Sequence, residues 1–223
     1  MILKDVLRKE ELREIGELLA GAEFVEGAKS AGTQARRVKR NRQLAAGSPA
    51  AERVTRMVEA ALSRSNAFFT AALPRAMTPA LVNRHEAGME YGLHVDNAFM
   101  HRGKGAGLRS DLAATLFLSD PKSYDGGELA IHLPGQVQRV KLPAGHLFLY
   151  PANTRHRVEP VTRGVRLAAV FWTQSMVRDA GRRQLLFDLD HAIRSLTARD
   201  PEANELVPLS AVYHGLMREW MEV

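Results

Sequence analysis

Six short segments in the second half of the chain constrain the fold more than any other feature. Each holds five to seven residues, and Gly, Pro, Asp or Asn residues separate it from the next. The segments are 112–118, 128–133, 137–142, 146–150, 156–160 and 166–172. Segments of this length bounded by turn residues predict β-strands. Because no helix-length stretch intervenes, they predict an antiparallel sandwich or barrel rather than βαβ units.

Helical patterns lie before this β region. Residues 8–20 carry apolar side chains at helical spacing, with charged side chains on the other face. Ser48 followed by Pro49 is typical of a helix N-cap and first helical residue, and it predicts a second helix on the outside of a sheet. Residues 67–70 and 80–85 have the composition of strands. The sequence therefore predicts a mainly β protein with flanking helices.

Residues 179–223 return to a helical pattern. Two apolar stripes follow helical spacing, one with Leu185, Leu186, Leu189, Ile193 and Leu196, the other with Leu209, Val212, Tyr213, Leu216 and Trp220. Asp200-Pro201 separates them. Stripes of this kind usually pack on a core, so this piece either caps the β region or forms a homodimer contact. We divide the chain into N-terminal helices and strands (1–65), a β core (66–178) and a C-terminal helical subdomain (179–223).

The chain has no cysteine among its 223 residues, and this limits its chemistry. Disulfides, thiolate metal sites and a cysteine nucleophile are excluded, so any metal must be bound by histidine and carboxylate. The chain has eight histidines, at positions 85, 94, 101, 132, 146, 156, 191 and 214.

The formal net charge of +6 is a modest positive surplus. Five basic residues lie between positions 36 and 42. Such a run is more typical of a solvated or edge strand protected by charge than of a surface for an anionic substrate. Nucleic acid is therefore not the expected partner. Because the first residues lack a signal-peptide pattern and no stretch approaches ~18 apolar residues, we expect a cytoplasmic protein with no membrane partner.

One segment, Tyr91-Gly92-Leu93-His94-Val95-Asp96-Asn97, places a histidine and an aspartate two residues apart. In an extended segment, residues i and i+2 point the same way, so His94 and Asp96 direct a nitrogen and an oxygen at one point. A third ligand from elsewhere completes a 2-His-1-carboxylate triad, which leaves open positions on a non-haem Fe(II). We take His156, at the start of a predicted strand, as the candidate third ligand.

Arg166 is the candidate anion-binding residue. It precedes the apolar run 167–172, and a guanidinium at the head of a buried strand requires an anionic partner. If residues 161–164 reverse the chain, His156 and Arg166 become near neighbours across a hairpin. The partner is either a protein carboxylate or a ligand carboxylate held in bidentate geometry. A dicarboxylate such as 2-oxoglutarate is able to chelate the metal at one end and meet Arg166 at the other.

These motifs resemble those of the Fe(II)/2-oxoglutarate-dependent dioxygenases. The closer resemblance is to the bacterial PKHD-type hydroxylases, relatives of the prolyl 4-hydroxylase catalytic domain. The matching segments are 91–98, 124–129, 142–145, 149–151, 156–158, 160–166 and 171–179. The N-terminal and C-terminal parts also look similar to this family, so the resemblance covers most of the chain.

The resemblance implies a double-stranded β-helix (jelly-roll) barrel with iron on His94, Asp96 and His156. It implies that Arg166 binds the distal carboxylate of 2-oxoglutarate, and that no catalytic residue is needed beyond the metal ligands. The implied reaction is hydroxylation of a substrate, a peptide or a small molecule, with O2 as oxidant and release of succinate and CO2. Ascorbate, which keeps iron ferrous, is a usual helper of this family.

Two positions depart from the family pattern. His85 stands where relatives commonly have a tyrosine that helps to hold the cosubstrate, and His146 stands where an aspartate is more usual. We assign His85, as a substitute donor, and Tyr91 to the cosubstrate pocket. Residues 100–110, with glycines at 103, 105 and 107, predict a flexible loop, which is either a lid over the site or an ordinary connection.

Two other functions also fit the sequence. The first is a cupin-like metalloenzyme that does not use 2-oxoglutarate, in which Arg166 is structural. The second is a non-enzymatic iron or 2-oxoglutarate sensor that binds a partner through the basic stretch 36–42. Turnover of the cosubstrate excludes the first, and partner capture with and without iron tests the second.

Overall fold

The computed structural model describes residues 1–30, 32–102 and 105–222. The described chain is mainly β, with a larger sheet, a smaller sheet, a hairpin and six α-helices. The larger sheet holds β1 (Ile2–Leu3), β2 (Phe24–Glu26), β4 (Arg42–Leu44), β5 (Pro74–Met77), β6 (Leu81–Glu86), β10 (Leu112–Phe117), β11 (Tyr124–Gly126), β14 (Leu147–Pro151) and β16 (Val161–Ser175). The smaller sheet holds β3 (Lys39–Arg40), β7 (Glu90–His94), β12 (Leu129–Leu133), β13 (Gln136–Val140) and β15 (Arg155–Val158).

The remaining elements are one hairpin and the helices. The hairpin pairs β8 (Phe99–Arg102) with β9 (Gly105–Arg109). The helices are α1 (Lys9–Ala20), α2 (Thr33–Arg36), α3 (Pro49–Ser63), α4 (Asn66–Ala72), α5 (Ala180–Arg199) and α6 (Leu206–Trp220), and a 3-10 turn spans Gly27–Ser30.

Every strand pairing of the described chain is antiparallel. The main path of the larger sheet is β1-β14-β10-β16-β6-β4-β2, and β5 and β11 also pair with β16. The smaller sheet has the order β13-β12-β15-β7-β3. The predicted antiparallel β architecture is confirmed, and the six segments singled out in the sequence correspond to β10, β12, β13, β14, β15 and β16.

The central strand β16 separates a core from a cavity. Phe171 belongs to the largest core cluster together with Val54 of α3 and Phe68 of α4, and the Phe68 and Phe171 rings meet edge to face at 6.3 Å between centroids. Arg166 and Trp172 of the same strand line a cavity that is also lined by the smaller sheet. Side chains of a strand alternate between its two faces, although Phe171 also borders this cavity.

The prediction of a strand over 67–70 was wrong. This segment lies in α4, where Ser65 caps the helix by accepting a hydrogen bond from the Phe68 amide at 3.1 Å. Phe68 and Ala72 are buried four residues apart, while Phe69 is 49% exposed. This is the burial pattern of a helix, and a short apolar run does not distinguish it from a strand without that context.

The Ser48 cap was predicted correctly, and its loss has a measurable cost. The Ser48 hydroxyl accepts a hydrogen bond from the Ala51 amide at 3.2 Å at the start of α3. We expect Ser48→Ala to lower the free energy of unfolding by about 1 kcal/mol, because this amide loses its partner. Urea denaturation measures the change. Ser63→Ala near the other end of α3 is the control, and an equal loss in both variants would contradict the capping role.

Residues 100–102 and 105–109 belong to a β-hairpin, where the sequence predicted a loop. Phe99 pairs with Arg109, and the Phe99 ring occupies the space that a side chain at Gly107 would need. Residues 103 and 104 lie outside the described part of the chain. Phe99 and His101 line the cavity, so the hairpin stands at its mouth. Its action as a lid stays a prediction.

The C-terminal helices pack on one another and on the end of α4. Leu186 of α5 is buried with Leu73 and Val177, and Tyr213 and Trp220 of α6 pack against this cluster. Leu185 and Val212, which the sequence placed in the apolar stripes, are instead 59% and 52% exposed. α5 ends at Arg199, with Asp200 as its C-cap, as predicted. Among the described residues, no helix is long and apolar enough to cross a membrane.

Candidate metal centre

His94, Asp96 and His156 meet at one point. Nε2 of His94 lies 3.9 Å from Oδ1 of Asp96, and Nε2 of His156 lies 3.8 Å from the same oxygen. Two ligands of one ion, each about 2.0–2.2 Å from it, are at most roughly 4.4 Å apart. The side chains are only 6–8% exposed. The three groups therefore have the spacing of a donor set for one cation.

The backbone positions both histidines for this role. β7 pairs with β15, and His94 lies directly opposite His156 in that pairing. Nδ1 of His94 lies 2.8 Å from the Gly92 carbonyl oxygen, and Nδ1 of His156 lies 2.9 Å from that of Thr154. If each Nδ1–H donates to its carbonyl, each Nε2 carries the free lone pair that a metal needs. Both rings are thus oriented before any metal arrives.

The electrostatics of the site keep His94 available as a ligand. Burial is the main reason that the pKa of His94 falls to about 3, and the nearby His156 contributes. The His94 imidazole is therefore neutral at neutral pH, as a metal ligand must be. Burial raises the pKa of the Asp96 carboxyl, while His156 and Lys39 act in the opposite direction. The Trp172 indole nitrogen faces this carboxylate, although it makes no hydrogen bond of standard geometry.

A cavity of about 690 Å³ connects the three ligands to Arg166. Arg166 is 2% exposed, and its Nε and Nη2 atoms are buried without a hydrogen-bond partner among the described residues. Burial lowers the pKa of this guanidinium, and the nearby Tyr124 hydroxyl opposes the shift. The Tyr124 oxygen is also buried without a partner of standard geometry. Buried donors in this state require a polar ligand.

Arg166 lines the same cavity as His156, but the prediction that a hairpin makes these two residues near neighbours was wrong. β15 belongs to the smaller sheet and pairs with β7 and β12, whereas β16 belongs to the larger sheet. Arg166 is opposite His85 of β6, not His156. The chain changes sheets between Val158 and Val161, so residues 161–164 start β16 instead of reversing the chain. His156 and Arg166 therefore reach the cavity from opposite walls.

His85 and Tyr91, the other two residues predicted for the cosubstrate pocket, both line the cavity. His85 is 1% exposed, lines the cavity, and has both ring nitrogens unpartnered among the described residues. Burial and the adjacent Arg166 hold the pKa of His85 well below its usual value. The Tyr91 ring stacks on His94 with 3.6 Å between centroids and also lines the cavity. His146 instead lies outside the cavity lining, with Nδ1 3.8 Å from the Asp5 carboxylate.

Sequence reasoning missed Lys39 and Gly127. Lys39, read as part of a solvated basic run, is 9% exposed and lines the cavity. Gly127 was read only as a turn residue, but a Cβ there would lie 3.0 Å from Cδ of Arg166. Its φ of +66° also favours glycine. The glycine therefore leaves room for the Arg166 side chain.

Comparisons with known proteins identify the family of this chain. Residues 80–174 match the 2OG-Fe(II) oxygenase superfamily model, and residues 180–222 match the PKHD-type hydroxylase C-terminal domain. Two solved structures share the fold at 19% sequence identity. A Pseudomonas putida prolyl-4-hydroxylase has a TM-score of 0.53 over 78% of this chain and 91% of that chain. A Trichoplax adhaerens prolyl hydroxylase, solved with a hypoxia inducible factor peptide, has a TM-score of 0.56 over 83% and 86%.

Together, the fold and the site define a 2-oxoglutarate-dependent dioxygenase with Fe(II) as its metal. Relatives that match over nearly the full length show which family of these dioxygenases the chain belongs to. A PKHD-type hydroxylase of Xanthomonas campestris is 48% identical, with 99% of this chain and 98% of that protein covered. Another, from Burkholderia lata, is 49% identical, with 97% and 96% covered. The chain belongs to the PKHD-type hydroxylases.

Proposed function

We propose that His94, Asp96 and His156 hold Fe(II), and that Arg166 anchors the distal carboxylate of 2-oxoglutarate in a reaction that hydroxylates the primary substrate. The observation that carries this proposal is the shared cavity. Three metal donors lie at one part of it, and a buried arginine with two unpartnered nitrogens lies at another. A ligand with a chelating group at one end and a carboxylate at the other meets both requirements.

The donor set fits iron. Two imidazoles and one carboxylate on one side of an ion form the facial triad of non-haem Fe(II) oxygenases and leave the other positions open. When bound, Fe(II) with 2-oxoglutarate and O2 supplies an oxidant able to attack a C–H bond, with succinate and CO2 as the coproducts. The part of the protein is to fix the donors, to orient the cosubstrate and to exclude water from the cavity.

Individual residues have distinct tasks in this scheme. Arg166 provides two N–H donors to the distal carboxylate, from the Nε and Nη2 atoms that have no hydrogen-bond partner among the described residues. His85 and Tyr91 line the cosubstrate pocket, and His85, neutral because its pKa is depressed, is able to donate from one ring nitrogen. Tyr124 adds a hydroxyl beside the guanidinium. No further acid or base is required.

An anaerobic titration tests this assignment without a known substrate. Metal-free protein is titrated first with Fe(II) and then with 2-oxoglutarate, and visible absorbance is followed. We expect a weak charge-transfer band only when both are present. Tight metal binding without that band would favour a cupin-like enzyme that does not use 2-oxoglutarate. A band without any succinate formation under O2 would favour the sensor function.

Several finer features belong to the same proposal. We infer that the two sheets close into a jelly-roll barrel, and that residues 66–178 form the dioxygenase core between N-terminal elements (1–65) and a C-terminal helical subdomain (179–223).

Ascorbate is the expected reductant for iron that leaves the ferrous state. We expect the protein in the cytoplasm, because a reducing compartment favours ferrous iron. The substrate, a peptide or a small molecule, enters at the mouth, and the C-terminal helices are the place for a homodimer contact.

A further inference from the structure

The indole nitrogen of Trp172 is a buried donor in the wall of the iron cavity. Trp172 lines the cavity, and its Nε1 is a buried atom that makes no hydrogen bond of standard geometry among the described residues. An indole N–H only donates, and when it is buried it usually has an acceptor. The Trp172 N–H is therefore available to an acceptor in the cavity.

The sheet holds the Trp172 ring in place. Side chains of β16 alternate between its faces, and Trp172, Val170 and Arg166 all line the cavity. The Trp172 amide donates to the Thr78 hydroxyl at 3.0 Å, and the Trp172 carbonyl accepts from the Thr78 amide at 2.9 Å. Ala113, directly opposite on β10, has only a methyl group and belongs to the cluster on which the indole packs. Backbone and packing together thus fix the indole.

The acceptor that this N–H faces is the Asp96 carboxylate. The distances from Nε2 of His94 and from Nε2 of His156, 3.9 Å and 3.8 Å, both run to the same Asp96 oxygen, Oδ1. Oδ1 is therefore the oxygen placed to bind the ion, and Oδ2 remains for another partner. Because the Asp96 side chain is only 8% exposed, bulk water has little access to that oxygen.

We propose that Trp172 is a positioning residue for the metal centre, whose indole N–H donates to Oδ2 of Asp96 and keeps this carboxylate a one-oxygen ligand. The inference rests on the proposed function and deepens it. A carboxylate is able to bind a cation through one oxygen or through both. Binding through both would occupy one of the positions that the facial triad leaves open. Trp172 thus preserves a position that the cosubstrate or O2 needs.

The chain has two tryptophans, Trp172 and Trp220, and this makes a direct test possible. Protein labelled with ¹⁵N at the indole nitrogens gives two Nε1–H signals in an NMR spectrum, and Trp220→Phe assigns them. Zn(II), which is diamagnetic and binds histidine and carboxylate, is then added to metal-free protein. We expect the Trp172 proton signal to move downfield, because its N–H gains a hydrogen bond to a carboxylate. The Trp220 signal should stay in place.

Trp172→Phe removes the N–H but keeps an aromatic ring. We expect it to raise the dissociation constant for Fe(II) by roughly 10–100-fold, the usual effect of losing an outer partner of a metal ligand. The Fe(II)-loaded variant should also bind 2-oxoglutarate more weakly, since the second oxygen of Asp96 then competes for a position on the ion. Competition with a chromogenic chelator measures the first effect, and anaerobic titration of the charge-transfer band measures the second.

Trp220→Phe is the matched control. It makes the same substitution at a ring that packs against Leu73, Val177 and Leu186, and among the described residues the cavity lining does not include it. We expect it to bind Fe(II) and 2-oxoglutarate as wild type does.

An isosteric replacement separates the N–H from the shape of the ring. In the Trp220→Phe background, position 172 is the only tryptophan, so that growth on the benzothienyl analogue of tryptophan places sulfur where Trp172 has its N–H. We expect this protein to bind Fe(II) as weakly as Trp172→Phe. A merely structural role of the ring would instead leave its affinity equal to that of Trp220→Phe.

The outcomes separate this inference from the proposed function. An indole signal of Trp172 that does not respond to bound Zn(II), or undiminished Fe(II) affinity of the benzothienyl protein, would overturn the role of Trp172. The wild-type spectrum decides this even if Trp172→Phe fails to fold. The absence of a charge-transfer band in the wild-type protein would instead overturn the assignment of the iron and 2-oxoglutarate site, while the Zn(II) spectrum still reports on the hydrogen bond to Asp96.

Discussion

His156→Ala is expected to weaken Fe(II) binding by more than about 100-fold, since even the loss of an outer partner of a metal ligand costs roughly 10–100-fold. His156 supplies one of two imidazole donors, and the described cluster of metal donors holds no third histidine to replace it. Without bound iron, conversion of 2-oxoglutarate to succinate should stop. Metal analysis after reconstitution and succinate measurement check both effects.

The control for this variant is His191→Ala, which removes an exposed histidine from α5. It should bind iron and turn over 2-oxoglutarate as wild type does. Normal iron content in His156→Ala would remove this residue from the metal centre. Because His156 also lies within a buried part of β15, melting curves should accompany the assay to show that the variant is folded.

Arg166→Met is expected to raise the dissociation constant for 2-oxoglutarate by about 100-fold. Hydrogen bonds to charged groups contribute roughly 1.5–3 kcal/mol each, and a bidentate pair would be lost. Binding of 2-oxobutyrate should hardly change, because that ligand has no distal carboxylate for Arg166. Anaerobic titration of the charge-transfer band measures both affinities.

Without ligand, the same substitution should not destabilise the protein. Arg166 is an almost fully buried charge with unpartnered nitrogens, and replacing such a group by an apolar one is often neutral or stabilising. We therefore expect Arg166→Met to melt at the same temperature as wild type or higher without ligand. Arg163→Met, three residues earlier in β16 where Arg163 pairs with Asp125 at the surface, is the control with normal affinity.

Local sequence patterns correctly predicted the features that depend on a few adjacent residues. The Ser48-Pro49 cap, the short antiparallel strands and the His94-x-Asp96 spacing each depend on a few adjacent residues, and each appears in the structure. The 67–70 error shows the limit of this reasoning. Three apolar residues and a threonine fit a strand or a buried helix equally well, and the Ser65 cap together with packing on β16 decided the outcome.

The errors in the site arise from partners that are distant in sequence. A change of sheet between Val158 and Val161 is not encoded by periodicity, so the hairpin placed His156 and Arg166 on neighbouring strands of one sheet. Lys39 was hidden in a run of like charges, because only the pairing of β3 with β7 makes it differ from its neighbours. In both cases the convergence of residues depends on tertiary pairing, which the sequence alone does not reveal.

The position of His156 and Arg166 on opposite sheets has a mechanical consequence. A cosubstrate held by the metal on one side and by Arg166 on the other would link the smaller and the larger sheet. Without it, side-chain packing and the connecting segments join these two sheets. Loading the site should therefore slow hydrogen exchange in β15 and β16 together, although neither strand pairs with the other. The bound cosubstrate would therefore also stabilise the fold that binds it.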